Sequence, residues 1–154
     1  LGVGAGSTEA DYQIHGEDFQ NRFRTFNERL SQLREAFAEG TAKGGDLNPW
    51  PGVAAGPPLL FGTWGGNVAT AATEFDGWIA SGMHRSPDEC AAALEVYRNS
   101  GGGRAVVSTI RIFAETDLGE MKDILLGYAD AGFDDAVVMC QPGVSIDDVR
   151  ALIS

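Results

Sequence analysis

The stretch LLFGTWGGNVATAATEFDGWIAS, residues 59–81, decides the fold class. Leu59 to Thr63 is short and apolar, which is typical of a buried strand. Glycines interrupt it, the small residues from Gly66 to Phe75 then predict a helix, and Gly77 to Ser81 predicts a second strand. A strand, a turn, a helix and a strand in so short a segment predict a βα unit of a parallel sheet.

The same alternation continues along the chain. Ser86, Pro87, Asp88 and Glu89 give a helix start its cap, its first-turn proline and its first-turn acids. We therefore predict a single α/β domain, with about five parallel strands alternating with helices in an open sheet or a closed barrel. The other predicted elements are strands at Leu1–Ala5, Ala105–Phe113 and Ala136–Cys140, and helices at Phe19–Phe37, Ser86–Tyr97, Asp117–Ala131 and from Ser145 onward.

Between the first helix and Leu59 lies a segment rich in glycine and proline, Thr41 to Pro58, which predicts a long loop. Loops of that length are usually functional, and Trp50 within it is interpreted as part of a lid or a partner surface. The apolar residues of the preceding helix recur at steps of four and three, which predicts that its phenylalanines form core. These are Phe19, Phe23, Phe26 and Phe37.

Composition excludes several classes of function. The chain has 22 acidic and 11 basic residues and a net charge of -11, so we expect no binding to nucleic acid or to an anionic membrane. No apolar run approaches the roughly 18 residues of a membrane span, and no signal peptide is evident. Cys90 and Cys140 lack ligand partners at metal-binding spacing, which predicts reduced thiols, no metal site and a cytoplasmic location.

The glycine-rich turn at residues 62–67 is the first candidate site. In parallel βα folds the loops after the strands carry function, and glycine lets the backbone approach a phosphate closely. The alternative is an ordinary tight turn in which glycine only supplies a positive φ angle, and the turn alone leaves both interpretations open. Leu1 to Gly6 lacks the third glycine of a dinucleotide fingerprint, because position 7 is Ser, and no P-loop motif is present.

Five segments together resemble the bacterial luciferase-like monooxygenase family. In chain order they are Leu-Gly-Val-Gly-Ala-Gly at 1–6, Gly-Glu-Asp-Phe at 16–19 with Arg22 and Glu28, Pro-Pro-Leu-Leu-Phe-Gly at 57–62, Phe-Asp-Gly-Trp-Ile at 75–79, and Tyr-Ala-Asp-Ala-Gly-Phe-Asp-Asp-Ala-Val-Val at 128–138. The resemblance implies a TIM-type (β/α)₈ barrel and an oxidoreductase acting on a small-molecule substrate with FMN or the deazaflavin known as factor 420.

The resemblance also implies where the cofactor phosphate binds, namely in the loop after the strand Leu59 to Thr63. The residues it assigns there are Gly62, Thr63, Trp64, Gly65, Gly66 and Asn67. Some flavin-binding relatives place an arginine at the position of Ala5, and its absence here favours deazaflavin.

A barrel of this type needs about 250 residues, and the resemblance places Leu1 at the fourth strand, with the first three βα units absent. We therefore expect either part of a longer chain or a homo-oligomer that covers the open sheet edges. Two alternatives to the enzyme remain. One is a non-catalytic remnant that folds as a self-associating α/β domain, and the other is an unrelated phosphate-binding α/β domain.

Three residues are candidates for catalysis. His84 follows the strand Gly77 to Ser81 and His15 follows the first strand, where barrel active sites lie, although each is also compatible with a surface position. Arg111 lies inside a predicted strand and must point into a polar lumen or its mouth, unless it pairs with an acidic neighbour.

Overall fold

The computed structural model describes residues 1–43, 45–47 and 55–152. Trp50, and with it the interpretation of a lid, lies outside the described residues. The chain forms two compact units. The first comprises Leu1 and Val3–Pro58, and the second comprises Gly2 and Leu59–Ser154.

In the first unit, helix α1 (Glu9–Ile14) is followed by a 3-10 turn (Phe19–Asn21), helix α2 (Arg22–Glu39) and a hairpin of β2 (Thr41–Ala42) and β3 (Gly45–Asp46). The Asp18 carboxylate accepts a hydrogen bond from the Gln20 N–H at the predicted helix start. The helix ends at Gly40, whose φ of 69° lies in the left-handed region that favours glycine. Helix α1 and the hairpin were not predicted, since elements so short show little periodicity.

The prediction that the phenylalanines of the first predicted helix form core was wrong. Phe23 is 50% exposed, and Phe19, Phe26 and Phe37 are only half-buried. The Arg22 guanidinium lies 4.1 Å from the Phe19 ring centroid and 4.5 Å from that of Phe23. A cation over an aromatic face lets the ring remain beside solvent, so helical spacing alone overstated the burial.

The chain contains a five-stranded sheet. Its strands are β1 (Gly2–Val3), β4 (Leu60–Gly62), β5 (Gly77–Ser81), β6 (Arg104–Ile112) and β7 (Asp135–Cys140). They follow the order β1-β4-β5-β6-β7, and the pairs β4–β5, β5–β6 and β6–β7 are parallel. The helices of the second unit are α3 (Val68–Glu74), α4 (Pro87–Asn99), α5 (Leu118–Ala131) and α6 (Ile146–Ala151). The predicted α/β fold class, with parallel strands alternating with helices, is confirmed.

The helix boundaries of this unit follow local signals that the sequence shows. Ser86 and Glu89 form a full capping box at the start of α4, with Pro87 in the first turn. The Asp117 carboxylate accepts hydrogen bonds from the first amides of α5, and Gly132 ends this helix with a φ of 99°. These predicted ends are confirmed, and they place the strand-to-helix loops of β5 and β6 at one end of the sheet.

Trp78 on β5 lies at the centre of the core. Its side chain is fully buried, and its ring centroid lies 5.5 Å from that of Tyr97 and 5.8 Å from that of Phe133. Burial of a large apolar side chain contributes roughly 2–3 kcal/mol. The fully buried side chains of the core come from β5, β6, α3, α4 and α5. The largest are Trp78, Tyr97, Tyr128, Ile112, Val68, Val107 and Cys90.

At the amino ends of the strands two aspartates repeat one arrangement. The Asp76 carboxylate accepts a hydrogen bond from the Leu59 N–H at 2.7 Å, and the Asp76 N–H donates to the Leu59 carbonyl at 2.9 Å. Asp134 makes the same two bonds with Ala105, at 2.7 and 2.9 Å. We call these two pairs the strand clamps, because each ties the entry of one strand to the start of another.

Candidate functional site

The predicted phosphate loop lies at the carboxyl end of β4. The chain leaves β4 at Gly62, passes Thr63 and Trp64, and forms a 3-10 turn at Gly65–Asn67 that leads into α3. The buried Trp78 indole N–H donates to the Thr63 carbonyl at 3.0 Å, so the core fixes the first residue of the loop. Asn67 stands directly before α3 with a φ of -85° and a ψ of -2°, and its side chain makes no capping hydrogen bond.

The two central glycines of the loop differ in what they require. Gly65 has a φ of 64°, the left-handed region that favours glycine, as the tight-turn alternative proposes. Gly66 has no such φ, and a Cβ added to it would meet nothing within 4 Å. The backbone therefore does not need glycine at position 66, and the open space beside it leaves room for a group to approach the main chain.

A cation lies beside this loop that the sequence did not reveal. The guanidinium of Arg85 lies 3.9 Å from the centroid of the Trp64 ring, and that ring lies 6.0 Å from the ring of Trp78. The hydroxyl of Tyr128 donates to the Arg85 carbonyl at 3.2 Å, which anchors the segment after β5. The loops after β4 and β5 are thus joined through one aromatic and cationic contact.

Next to it, at the carboxyl ends of β5 and β6, is a cavity of about 560 Å³, which we call the β5–β6 cavity. It brings together two of the three catalytic candidates, His84 and Arg111. The third, His15, lines a separate cavity of about 520 Å³ within the first unit, together with Tyr12 and the ion pair of Glu17 and Arg29. The β5–β6 cavity is lined by Gly82, Met83, His84, Arg85, Ser86, Pro87, Thr109, Ile110, Arg111, Phe113, Met121, Ile124 and Tyr128.

Strand β6 is irregular where it borders this cavity. Val107 pairs with Ala136 and Ile110 with Val138, so β6 carries one residue more than β7 between these two pairs. Thr109, inside this bulge, has a φ of 63°, which is rare for a β-branched residue. Before the bulge Ala105, Val106 and Val107 are all buried, whereas after it Ile110 and Ile112 are buried and Arg111 is exposed.

Two ionisable groups under the cavity are held in their neutral forms. Burial raises the pKa of Tyr128 to about 12, with a further contribution from the neighbouring Cys90. Burial likewise raises the pKa of the Cys90 thiol. At neutral pH Tyr128 is therefore a hydrogen-bond donor to Arg85 and not a base, and Cys90 is not an activated nucleophile.

Metal and membrane features were sought over the described ranges. In residues 1–43, 45–47 and 55–152, His, Cys, Asp and Glu side chains form no group of three or more that suits a metal ion. Within the same ranges, no helix has both the length and the apolar character needed to cross a membrane.

Comparison with known proteins supports the resemblance seen in the sequence. The model of the family described as luciferase-like monooxygenase matches residues 1–117, a span that contains the phosphate loop, Arg85 and Arg111. The passage at 128–138 lies beyond the matched residues. No curated protein matches the chain. Because the match covers about three quarters of the sequence, from β1 through β6, the chain belongs to the luciferase-like monooxygenase family, whose fold is a TIM barrel and whose members commonly use flavin-type cofactors.

Proposed function

We propose that this chain binds the phosphate of FMN or of the factor 420 deazaflavin in the loop of residues 62–67, and serves an oxidoreductase that acts on a small molecule. Membership of the luciferase-like family gives the class of reaction. The main support for this placement is Gly66. The backbone conformation at position 66 does not require glycine, and the space beside it is open.

The residues of the loop fit a phosphate. Thr63 offers a hydroxyl while its carbonyl is held by Trp78, and the backbone at Gly65 and Gly66 is accessible. Arg85 adds a positive charge beside Trp64, and a charge-assisted hydrogen bond to phosphate is stronger than a neutral one. In this proposal Arg85 supplies the charge that some relatives take from an arginine at the position of Ala5.

The chemistry divides between the cofactor and the chain. Once bound, a flavin-type cofactor supplies hydride transfer or oxygen activation, and the chain supplies binding, orientation and exclusion of water. The described residues suited to those tasks are Thr63 and Gly66 for binding, Trp64 and Arg85 for orientation, and the buried Trp78 for holding the loop in place.

The test is a fluorescence titration of the purified chain with FMN and with deazaflavin in parallel. We expect saturable binding of one of them, weakened at least about 100-fold by Gly66→Asp, because the new carboxylate would repel the phosphate. Gly103→Asp is the matched control, because Gly103 also has open space and no left-handed φ but precedes β6 at the opposite end of the sheet.

The control variant should bind like the wild type, and both variants should keep the wild-type circular dichroism spectrum. Binding of neither cofactor, or equal binding by Gly66→Asp and the wild type, would refute the proposed site. Preference for one cofactor in the same titration identifies which of the two the chain uses.

One observation favours the non-catalytic alternative, a self-associating α/β domain. Strand β7 ends the strand order, and its Val137 and Met139 are 48% and 43% exposed. Exposed apolar residues on an edge strand favour pairing with another copy. A chain that binds neither cofactor and sediments as a dimer would support this alternative, and a monomer at all concentrations would exclude it.

A further inference from the structure

The β5–β6 cavity has a charge opposite to that of the chain as a whole. The chain holds 22 acidic and 11 basic residues. Within the described part of the chain, however, no Asp or Glu lines this cavity, and its charged lining residues are Arg85 and Arg111, with His84 beside them. In a chain that is acidic overall, a cavity whose charged lining residues are basic favours an anionic occupant.

Arg111 is available to such an occupant. Over the described ranges it forms no ion pair and no hydrogen bond, in contrast to Arg104 at the start of the same strand. Arg104 lies 2.9 Å from the Asp135 carboxylate on β7. The residue that pairs with Arg111 across the same two strands is Met139, which offers no charge. The guanidinium at the cavity thus lacks the intramolecular partner that its counterpart has.

Much of the remaining lining is apolar, beside the hydroxyl groups of Ser86, Thr109 and Tyr128. Ile110, Met121 and Ile124 contribute aliphatic or thioether surface, and Phe113 is 42% exposed beside them. A volume of about 560 Å³ is within the range of sites that hold small organic molecules. Largely apolar walls beside the guanidinium of Arg111 suit a molecule that has an apolar body and one acidic group.

The backbone strain of the bulge supports a binding role. A left-handed φ is strained at a β-branched residue, and such strain persists mainly at functional sites. Here the strained Thr109 is one residue from Ile110 and two from Arg111. After the bulge Arg111 is exposed, while its two neighbours on the strand, Ile110 and Ile112, are buried.

We propose that the β5–β6 cavity binds a small organic carboxylate, whose acidic group pairs with Arg111 near His84 and whose apolar body lies against Ile110, Phe113 and Met121. Binding itself does not require the cofactor. The further step, that such an acid represents the substrate class of the enzyme, rests on the proposed function. The cavity and the phosphate loop adjoin through Arg85, so a ligand here would lie beside a bound cofactor.

The test is an NMR titration of the cofactor-free chain with sodium benzoate, and with benzamide as its neutral analogue. We expect benzoate to shift the amide signals of residues 82–86 and 109–113 saturably in the millimolar range, and benzamide to bind about tenfold more weakly, because it lacks the charge. Equal binding of the two compounds, or no saturable shift at tens of millimolar benzoate, would overturn the proposal.

Substitutions then test whether Arg111 is the cation that pairs with the carboxylate. Arg111→Met should weaken benzoate binding about tenfold, and Arg111→Lys should restore part of it. Arg104→Met, on the same strand but at its other end, should bind like the wild type. Amide spectra of each variant show whether the fold is kept, and unchanged benzoate binding by a folded Arg111→Met would refute the assignment.

The phosphate-loop variant separates this proposal from the proposed function. Gly66→Asp should lose the cofactor and still bind benzoate, because its new carboxylate lies in the loop and not among the cavity residues. Benzoate binding without cofactor binding would support the carboxylate site and refute the proposed function. Cofactor binding without benzoate binding would support the proposed function and refute the carboxylate site.

Discussion

The two ends of the parallel strands in the second unit serve different purposes. At the amino ends, polar groups find partners within the chain: Asp76 and Asp134 form the strand clamps, and the Tyr97 hydroxyl donates to the Arg104 carbonyl at 3.0 Å. At the carboxyl ends, Gly66 borders open space and Arg111 is unpaired over the described ranges. One end of the sheet is internally satisfied, and the other leaves groups available to a ligand.

This difference is the one expected for a barrel-type α/β fold. Loops at the carboxyl ends of the strands carry function, and residues at the amino ends mainly stabilise. Substitutions at the amino ends should therefore change the free energy of unfolding, and substitutions at the carboxyl ends should change binding. Trp78 is the exception that connects the two, since its ring fills the core and its N–H holds the phosphate loop.

The largest effect should follow from Trp78→Ala. Removing a fully buried indole leaves a cavity among Tyr97 and Phe133 and should lower the free energy of unfolding by about 3–5 kcal/mol. Chemical denaturation followed by far-UV circular dichroism measures this. Trp64→Ala is the matched control, because Trp64 is only half-buried and should cost much less. Equal losses in the two variants would contradict the central position of Trp78.

A smaller effect should follow from breaking a strand clamp with Asp134→Asn. The N–H of Ala105, and then Arg98, hold the pKa of the Asp134 carboxyl below its usual value. Because that pKa is depressed in the folded state, the stabilisation is present above the unfolded value of 3.8 and is lost as the pH falls through the folded value. At neutral pH we expect a loss of only about 1 kcal/mol, since the side chain is 46% exposed.

The measurement for this clamp is urea denaturation across a pH series. The difference between Asp134→Asn and the wild type should shrink as the pH falls below 3.8, because the wild-type carboxyl also becomes neutral. Asp130→Asn, an exposed aspartate on α5, is the control and should match the wild type at every pH. A difference for Asp134→Asn that stays constant with pH would show that its charge is not what stabilises the clamp.

The sequence predicted the features of this comparison that depend on neighbouring residues. The strand and helix alternation and the capping box at Ser86 each follow from residues that are close together in the sequence. The candidate phosphate loop was proposed from the same kind of signal, because an apolar strand followed by glycines is a local pattern.

Features that join distant residues were missed. Arg85 contacts Trp64 from the loop after the next strand, and Trp78 reaches back to the Thr63 carbonyl, so neither contact has a spacing that the sequence reveals. The bulge at Thr109 lies in a β-branched run with no glycine to mark it. The burial of the phenylalanines in the first predicted helix was overestimated for the same reason. Helical periodicity shows which face of a helix is apolar, but not which residues cover that face.

The smallest effect on stability should come from Arg85→Met at the carboxyl ends of the strands. This variant should change binding more than stability, in contrast to the variants at the amino ends. Losing the contact with the Trp64 ring should cost about 0.5–1 kcal/mol of unfolding free energy. If Arg85 pairs with the cofactor phosphate, the affinity for FMN should fall about tenfold. Riboflavin, which lacks the phosphate, should bind the variant and the wild type alike. An equal loss of affinity for FMN and for riboflavin would mean that Arg85 only orders Trp64. A contact between Arg85 and the phosphate would lower the affinity for FMN and leave the affinity for riboflavin unchanged.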